Sequence, residues 1–372
     1  RLIAWDWGWA DAWAEEIINA LPQEVMLMSV SEWSIPIRRG GVETTVGEYS
    51  ISVVGPGPRA QRHWAWARKR GMKTLAKIQA GNTWELSSVP YIPAVANVAR
   101  HAANLQAARV DGLMLGWTLG GYPSPNLEVA TRIGTEIHAP PSPGEAPSDS
   151  EAATAALAQT ALETVAKRRF GERLAPIVVR AWRECSTAFS EFPYHGGLVY
   201  SAPLQVGPAN LLWAEPTGYA ASMVGFPYDD LEAWRAVYPP EVFIAQLEKV
   251  ADGMDRAIAD ANQAAEALRL SAKEQRALTA ELKVVEAASI HFRSNAQQAR
   301  FVLARRELSR ARNAEEARNP KAALERMLKA ELDLARRLYA IQNADSRVGF
   351  EASNHYFRSE ERRVGKECRS RW

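Results

Sequence analysis

The sequence predicts an α/β protein, with a parallel sheet and outer helices in its first third and a mostly helical remainder. Three observations predict this. Short apolar runs alternate with amphipathic segments over residues 2–117. Those runs turn polar toward their C-terminal halves. From residue 240 to about 344, apolar residues recur at spacings of three and four.

The elements follow in order. "LIAWDW" (2–7) reads as a strand, and "ADAWAEEIINAL" (10–21) as a helix with Trp13, Ile17 and Leu21 on one stripe. "VMLMSV" (25–30) is the next strand, followed by a long Gly/Pro-rich loop. "PRAQRHWAWARKRG" (58–71) is a helix opened by Pro58 and closed by Gly71. "KTLAKIQ" (73–79) is a strand, "YIPAVANVARHAANLQ" (91–106) a helix and "VDGLMLGW" (110–117) a strand. Strands that alternate with helices call for a parallel sheet, because each crossover returns the chain to the same end.

Parallel strands covered on both faces are usually apolar throughout. Here Trp5, Asp6, Trp7, Ser29, Ser31, Lys77 and Gln79 stand in or after them. Polarity gathered at C-terminal strand ends predicts the last four strands of a (β/α)8 barrel, whose site lies at that mouth. The chain opens at Arg1 inside its first strand, so the expectation is a piece truncated at the N-terminus, with the first half of the barrel upstream. Its location stays open between the cytoplasm and secretion from a bacterium.

"HAPPSPGEAPSDSE" (138–151) punctuates the chain as a linker or exposed loop. Helices follow around 150–167 and 172–190, then an aromatic, Gly/Pro-rich stretch over 191–230. Phe243, Leu247, Val250, Met254 and Ile258 form one helical stripe, and Met327, Leu334, Leu338 and Ile341 another, as in two or three packed helices. The chain thus divides into a partial barrel (1–137), a linker, helices and aromatic loop (138–239), a helical bundle (240–357) and a tail (358–372). The tail, "RSEERRVGKECRSRW", lacks apolar periodicity and resembles the translated adapter or vector read-through of metagenomic reading frames.

Composition narrows the function. The chain is 47% hydrophobic and 24% charged, as expected of a globular protein. Its net charge of +2 comes from the tail, whose six basic and three acidic residues leave −1 on the rest. That balance argues against a nucleic-acid partner. No apolar run reaches the roughly 18 residues of a membrane span. Cys368 lies in the tail, which leaves Cys185 without a disulfide partner, and the six scattered histidines suggest no metal site. No cofactor motif is read, and the oligomeric state is not specified.

Each strand ends in a carboxylate, an aromatic residue or both. The first gives Asp6 and Trp7, the second Glu32 and Trp33, the third Asn82, Trp84 and Glu85, and the fourth Trp117, Tyr122 and Asn126. Nine of the thirteen tryptophans fall in the first 117 residues, which favours a carbohydrate over a phosphate ligand. Indole stacks on the apolar face of a sugar ring, while carboxylates and amides take its hydroxyls. Hydrolysis of a glycosidic bond needs a pair of carboxyl groups, or one that orients the sugar's own acetamide. Glu85 and Glu32 are the candidate catalytic residues. Asp6, Trp7, Trp33, Lys77, Gln79, Asn82, Trp84, Trp117 and Tyr122 are the candidate substrate contacts, with Lys77 and Gln79 facing the barrel interior and Glu85 pointing at the substrate.

Plainer readings stand beside these. A carboxylate after a strand is often a helix cap or a loop anchor. Trp13, Trp64 and Trp66 sit at helical spacing and read as core, and Asp111, which begins its strand, reads as structural. Arg293 and Asn295 read as interhelical contacts, Glu351, Asn354 and His355 as a bundle-end cap, and Glu215 as a carboxylate in an aromatic loop.

The runs "MSVSEW", "GEYSISVVGPGPRA", "GNTWE", "DGLMLGWTLGGYPSPN", "YSAPLQVGPANLLWAEPTGY", "MVGFPYDD" and "DSRVGFEASNHYF" together resemble an uncharacterised bacterial glycoside-hydrolase-like family. Its layout is similar to that of β-N-acetylhexosaminidases and α-glucuronidases, which are barrel glycosidases with a helical C-terminal region. The resemblance implies a glycoside hydrolase acting on a polysaccharide or glycan, and in many such barrels the acid/base follows the fourth strand, upstream of this piece. Two alternatives remain open: a non-catalytic carbohydrate-binding protein on a barrel scaffold, and another barrel enzyme of aldolase or isomerase type, for which Lys77 is available.

Overall fold

The computed structural model describes residues 2–116, 122–136, 151–199, 204–218 and 229–349. The expectations for Trp117, for residues 138–150, for Glu351, Asn354 and His355, and for the tail 358–372 concern residues outside this description. Six strands form among the described residues: β1 (Ile3–Trp5), β2 (Met26–Val30), β3 (Pro36–Arg39), β4 (Val42–Thr45), β5 (Thr74–Lys77) and β6 (Gly112–Met114). Four of them make one parallel sheet in the order β1-β2-β5-β6. These are the four strands expected from the alternation, adjacent and all parallel. Ile3 pairs with Met26, Val30 with Lys77, and Lys77 with Met114. The sheet is open at β1 and β6 among the described residues, and no closed barrel is formed there.

The helices are α1 (Asp11–Ala20), α2 (Pro58–Lys69), α3 (Val95–Ala107), α4 (Pro125–Glu136), α5 (Glu151–Phe170), α6 (Ala175–Phe189), α7 (Gly196–Val199), α8 (Leu231–Arg235), α9 (Pro240–Glu266), α10 (Ala272–Arg310) and α11 (Ala314–Ala344). α1 and α2 cover one face of the sheet, where Ile18, Val25, Leu27, Ala67 and Met72 form a small buried cluster. Side chains alternate between faces along a strand. Leu27 and Ser31 therefore look toward the helices, and Ser31 Oγ lies 2.7 Å from His101 Nε2 of α3. Val30 and Lys77, paired in register, look the other way.

Several local differences have physical causes. The Gly/Pro-rich loop contains the antiparallel hairpin β3–β4, turned at Gly40 and Gly41 with φ of 54° and 84°. α3 begins at Val95 rather than residue 91, because Pro93 disfavours helix at the residue before it and Ile92 N is bonded to Gly81 O at 2.9 Å. Trp64 is buried, and Trp66 packs partly buried on the small cluster, whereas Trp13 is 47% exposed and is not core. Asp111 accepts from Thr74 N at 2.8 Å at the N-terminal side of the sheet, in a structural role. Arg293 bridges α10 to Asp252 and Asp255 of α9, and Asn295 Nδ2 donates to His291 O one turn earlier in α10.

The helical run is cut in two places. Ser271 caps α10 in a full capping box with Glu274, and Asn313 caps α11. α9 packs against both α6 and α10, and α10 against α11. One buried core extends from Ile37 and Trp64, through Ala76 and Trp182, to Leu338 and Ile341.

Candidate active site

The parallel strands bring Asp6, Glu32 and Lys77 to the same edge of the sheet. The loop 46–57, between β4 and α2, is laid across two of the three expected carboxylates. Ser50 N donates to Glu32 Oε1 at 3.0 Å, and Ser50 Oγ donates to Glu85 Oε1 at 2.5 Å. One residue thus joins both candidate catalytic groups. Glu85 Oε2 also accepts from Ile51 N at 2.8 Å and from Thr83 Oγ1 at 2.7 Å. Glu32, Glu85 and Lys77 are all fully buried.

The two carboxyl groups differ in what they have left to bind. Three donors occupy both oxygens of Glu85. Glu32 accepts from Ser50 N on Oε1, and its Oε2 has no hydrogen-bonding partner among the described residues. Burial disfavours the charged form of each. It pushes Glu32 up from the ordinary 4.5 to about 8, against the pull of Ser50 N and of the Lys77 ammonium. It raises Glu85 as well, against its hydrogen-bond donors.

Lys77 answers with the opposite shift. Its Nζ donates to Gln79 Oε1 at 2.8 Å and lies 4.1 Å from the centre of the Tyr49 ring. Burial lowers it to about 7, opposed by the charges of Glu32 and Glu48. Burial likewise raises the Tyr49 phenol, and its hydroxyl has no hydrogen-bonding partner among the described residues. A carboxyl group, an amine and a phenol therefore share one water-poor spot near the strand ends.

Asp6 lies elsewhere. It falls on the helix-facing side of β1, with Oδ2 2.6 Å from His63 Nδ1 and Oδ1 3.2 Å from Arg59 Nη1. Arg59 also donates to the carbonyls of Asp6 and Trp9 and stands 4.6 Å over the Trp33 ring. These contacts pin the loop after β1 to α2. They also fix Trp33 as a half-buried ring backed by a cation.

The remaining candidates are distributed as follows. Gln79 is buried beside Lys77. Asn82 Nδ2 donates to Ser87 O and Val89 O and shapes its own loop. Trp84 packs half-buried on the main core, and its carbonyl accepts from Gln205 Nε2 at 2.6 Å. Trp7 is 50% exposed, its ring 6.0 Å from that of Trp5 and its Nε1 donating to Glu48 Oε2 at 3.2 Å. Tyr122 is half-buried just ahead of α4.

Glu48, Tyr49 and Ser50 were missed as site residues. The segment "GEYSIS" offers no periodicity to place it, and the one available signal was a carboxylate, a phenol and hydroxyls gathered in a glycine-flanked loop. Among the described residues, no group of His, Cys, Asp or Glu could hold a metal ion, and no helix is long and apolar enough to cross a membrane. No protein-family model, curated protein or solved structure matches the chain.

Proposed function

We propose that this chain is the C-terminal half of a (β/α)8-barrel glycoside hydrolase, with Glu32 as its general acid and a glycan as its substrate. One observation carries the reading. Glu32 is a buried carboxyl group, raised to about 8, with one oxygen uncommitted, at the C-terminal edge of parallel strands. A carboxylic acid that keeps its proton near neutral pH can give it to a glycosidic oxygen as the C–O bond breaks, and recover one from the attacking water. The Trp5–Trp7 pair, tied through Trp7 to Glu48 of loop 46–57, supplies apolar surface of the kind that sugar rings stack on. Glu85, held by three donors, acts as a positioning residue that keeps loop 46–57 over the site.

The test is hydrolysis of a panel of aryl glycosides and oligosaccharides by the wild-type protein and by Glu32→Gln. Loss of a general acid lowers kcat by about 10²–10⁴-fold. Equal hydrolysis by both proteins would remove Glu32 from the chemistry. Saccharide binding without any hydrolysis would favour the carbohydrate-binding alternative.

A second reading rests on Lys77. A buried amine lowered to about 7 is a competent Schiff-base nucleophile, as in an aldolase-type barrel enzyme. Borohydride trapping with a small ketose or aldehyde, read as a mass adduct on Lys77, separates the two readings.

A further inference from the structure

We propose that Tyr49 is a substrate-binding residue of this site, its hydroxyl taking one hydroxyl group of a neutral sugar while the uncommitted oxygen of Glu32 stays with the glycosidic oxygen. The inference rests on the glycosidase reading and adds a residue and a ligand chemistry to it.

The argument starts from two unpaired atoms. Tyr49 is 3% exposed and Glu32 0% exposed, yet among the described residues neither Tyr49 Oη nor Glu32 Oε2 has a hydrogen-bonding partner. Buried polar atoms are nearly always paired, because leaving one unpaired costs about 1–3 kcal/mol. Here two such atoms belong to neighbouring side chains. Ser50, the residue after Tyr49, donates its backbone N–H to Glu32, and the Lys77 ammonium stands over the Tyr49 ring while interacting with Glu32. A phenylalanine at position 49 would remove one of the unpaired atoms without disturbing the packing. That the chain carries a tyrosine there is accounted for if its hydroxyl serves a guest.

The surroundings select the guest. An anion would meet the carboxyl groups of Glu32, Glu85 and Glu48, and a cation would meet Lys77. A neutral sugar avoids both repulsions, and its hydroxyl group, which both donates and accepts, can satisfy the phenol whichever way its proton turns. Trp7, half-exposed and bonded to Glu48, stands at the outer side of the same loop.

The experiment is a thermal-shift series on the wild-type protein, Tyr49→Phe and Tyr238→Phe. Each is melted alone and with the methyl glycosides of glucose, galactose, xylose and N-acetylglucosamine. Tyr238 is the control, a buried tyrosine whose hydroxyl donates to Tyr194 O at 2.9 Å. The expected result is that Tyr238→Phe melts lower than the wild type, while Tyr49→Phe melts at the same temperature or higher. Tyr49→Phe should also bind at least tenfold more weakly the sugar that stabilises the wild type. Two outcomes overturn the assignment of Tyr49 alone: a melting temperature for Tyr49→Phe as low as the control's, which would reveal an internal partner, or unchanged sugar affinity. A wild-type protein that none of the glycosides stabilises overturns the carbohydrate reading and the identity of the guest with it.

Discussion

Ser50 is bound by two carboxyl groups through two different atoms, and this separates their roles. Glu85 is the acceptor for Ser50 Oγ, Ile51 N and Thr83 Oγ1, three buried donors that an amide cannot all satisfy. Glu85→Gln should therefore destabilise the protein by about 2–3 kcal/mol, the cost of one or two stranded donors, as read by urea denaturation. The fall in activity should be secondary to that. Glu331 makes a cleaner case for pH. Burial on α11 raises it from 4.5 to about 7, opposed by hydrogen bonds from Ser294 and Gln298. Below pH 4.5 it is protonated in both the folded and the unfolded chain. As pH rises toward 7 the unfolded chain ionises first, so stability falls by up to about 3 kcal/mol and stays low above 7. Glu331→Gln should match the wild type at pH 4.5 and melt higher at pH 8. Glu32 adds a slope of the same sign up to about pH 8, while Lys77, lowered to about 7, contributes stability that rises between 7 and 10.5. Glu32 and Lys77 were legible in the sequence because the strand period places polar residues at the ends of apolar runs. Asp6 was legible as a strand-end carboxylate, but the face on which it falls was not, since β1 spans only Ile3–Trp5 and its parity is set by tertiary pairing. Tyr49 was invisible because a loop has no period.

The elements most open to reading were the long helices, whose stripes and caps agree. Ser271 and Glu274 make the reciprocal bonds of a capping box, and Arg173 holds Glu274 from the α5–α6 connection. Ser271→Ala should lower stability by about 1 kcal/mol, detectable as a shift in the denaturation midpoint without change of slope. The hairpin β3–β4 carried a signal of its own, two glycines between a run ending "IPIRR" and one beginning "VETT". The length of the surrounding Gly/Pro-rich stretch hid it. Gly40 and Gly41 both have positive φ, but only Gly40 is crowded, since a Cβ there would stand 2.4 Å from Val242 Cγ1 of α9. Gly40→Ala should destabilise clearly more than Gly41→Ala, which carries only the backbone strain of about 1–2 kcal/mol. Equal losses would mean that α9 yields at that contact.

At the scale of the whole molecule, the strands that hold the site are not independent of the helices that follow. Ser88 Oγ lies 2.8 Å from His291 Nε2 of α10, and Gly349 N donates to Ser88 O at 2.6 Å. Gln205 accepts from Ser87 N and donates to Trp84 O. Tyr194 bonds Glu48 N in the loop over the carboxyl groups. The buried core continues across both composition breaks, from Ile133 to Ala158 and from Leu231 to Phe243. Composition and periodicity report on neighbours in sequence, so they mark such breaks but carry no information on side chains paired across two hundred positions. The pairing has a measurable consequence. Most of the tryptophans lie in the first third, while the long helices that dominate far-ultraviolet dichroism lie in the last. Fluorescence and dichroism thus report on different parts of the chain. If the buried bonds and shared core couple those parts, the two signals should trace one coincident unfolding transition. His291→Ala removes the bond to Ser88 from the helical side, and it should lower the fluorescence midpoint as much as the dichroism midpoint. A fluorescence transition that precedes the dichroism transition in the wild type would show instead that the sheet and its site unfold first, on a helical scaffold that stands without them.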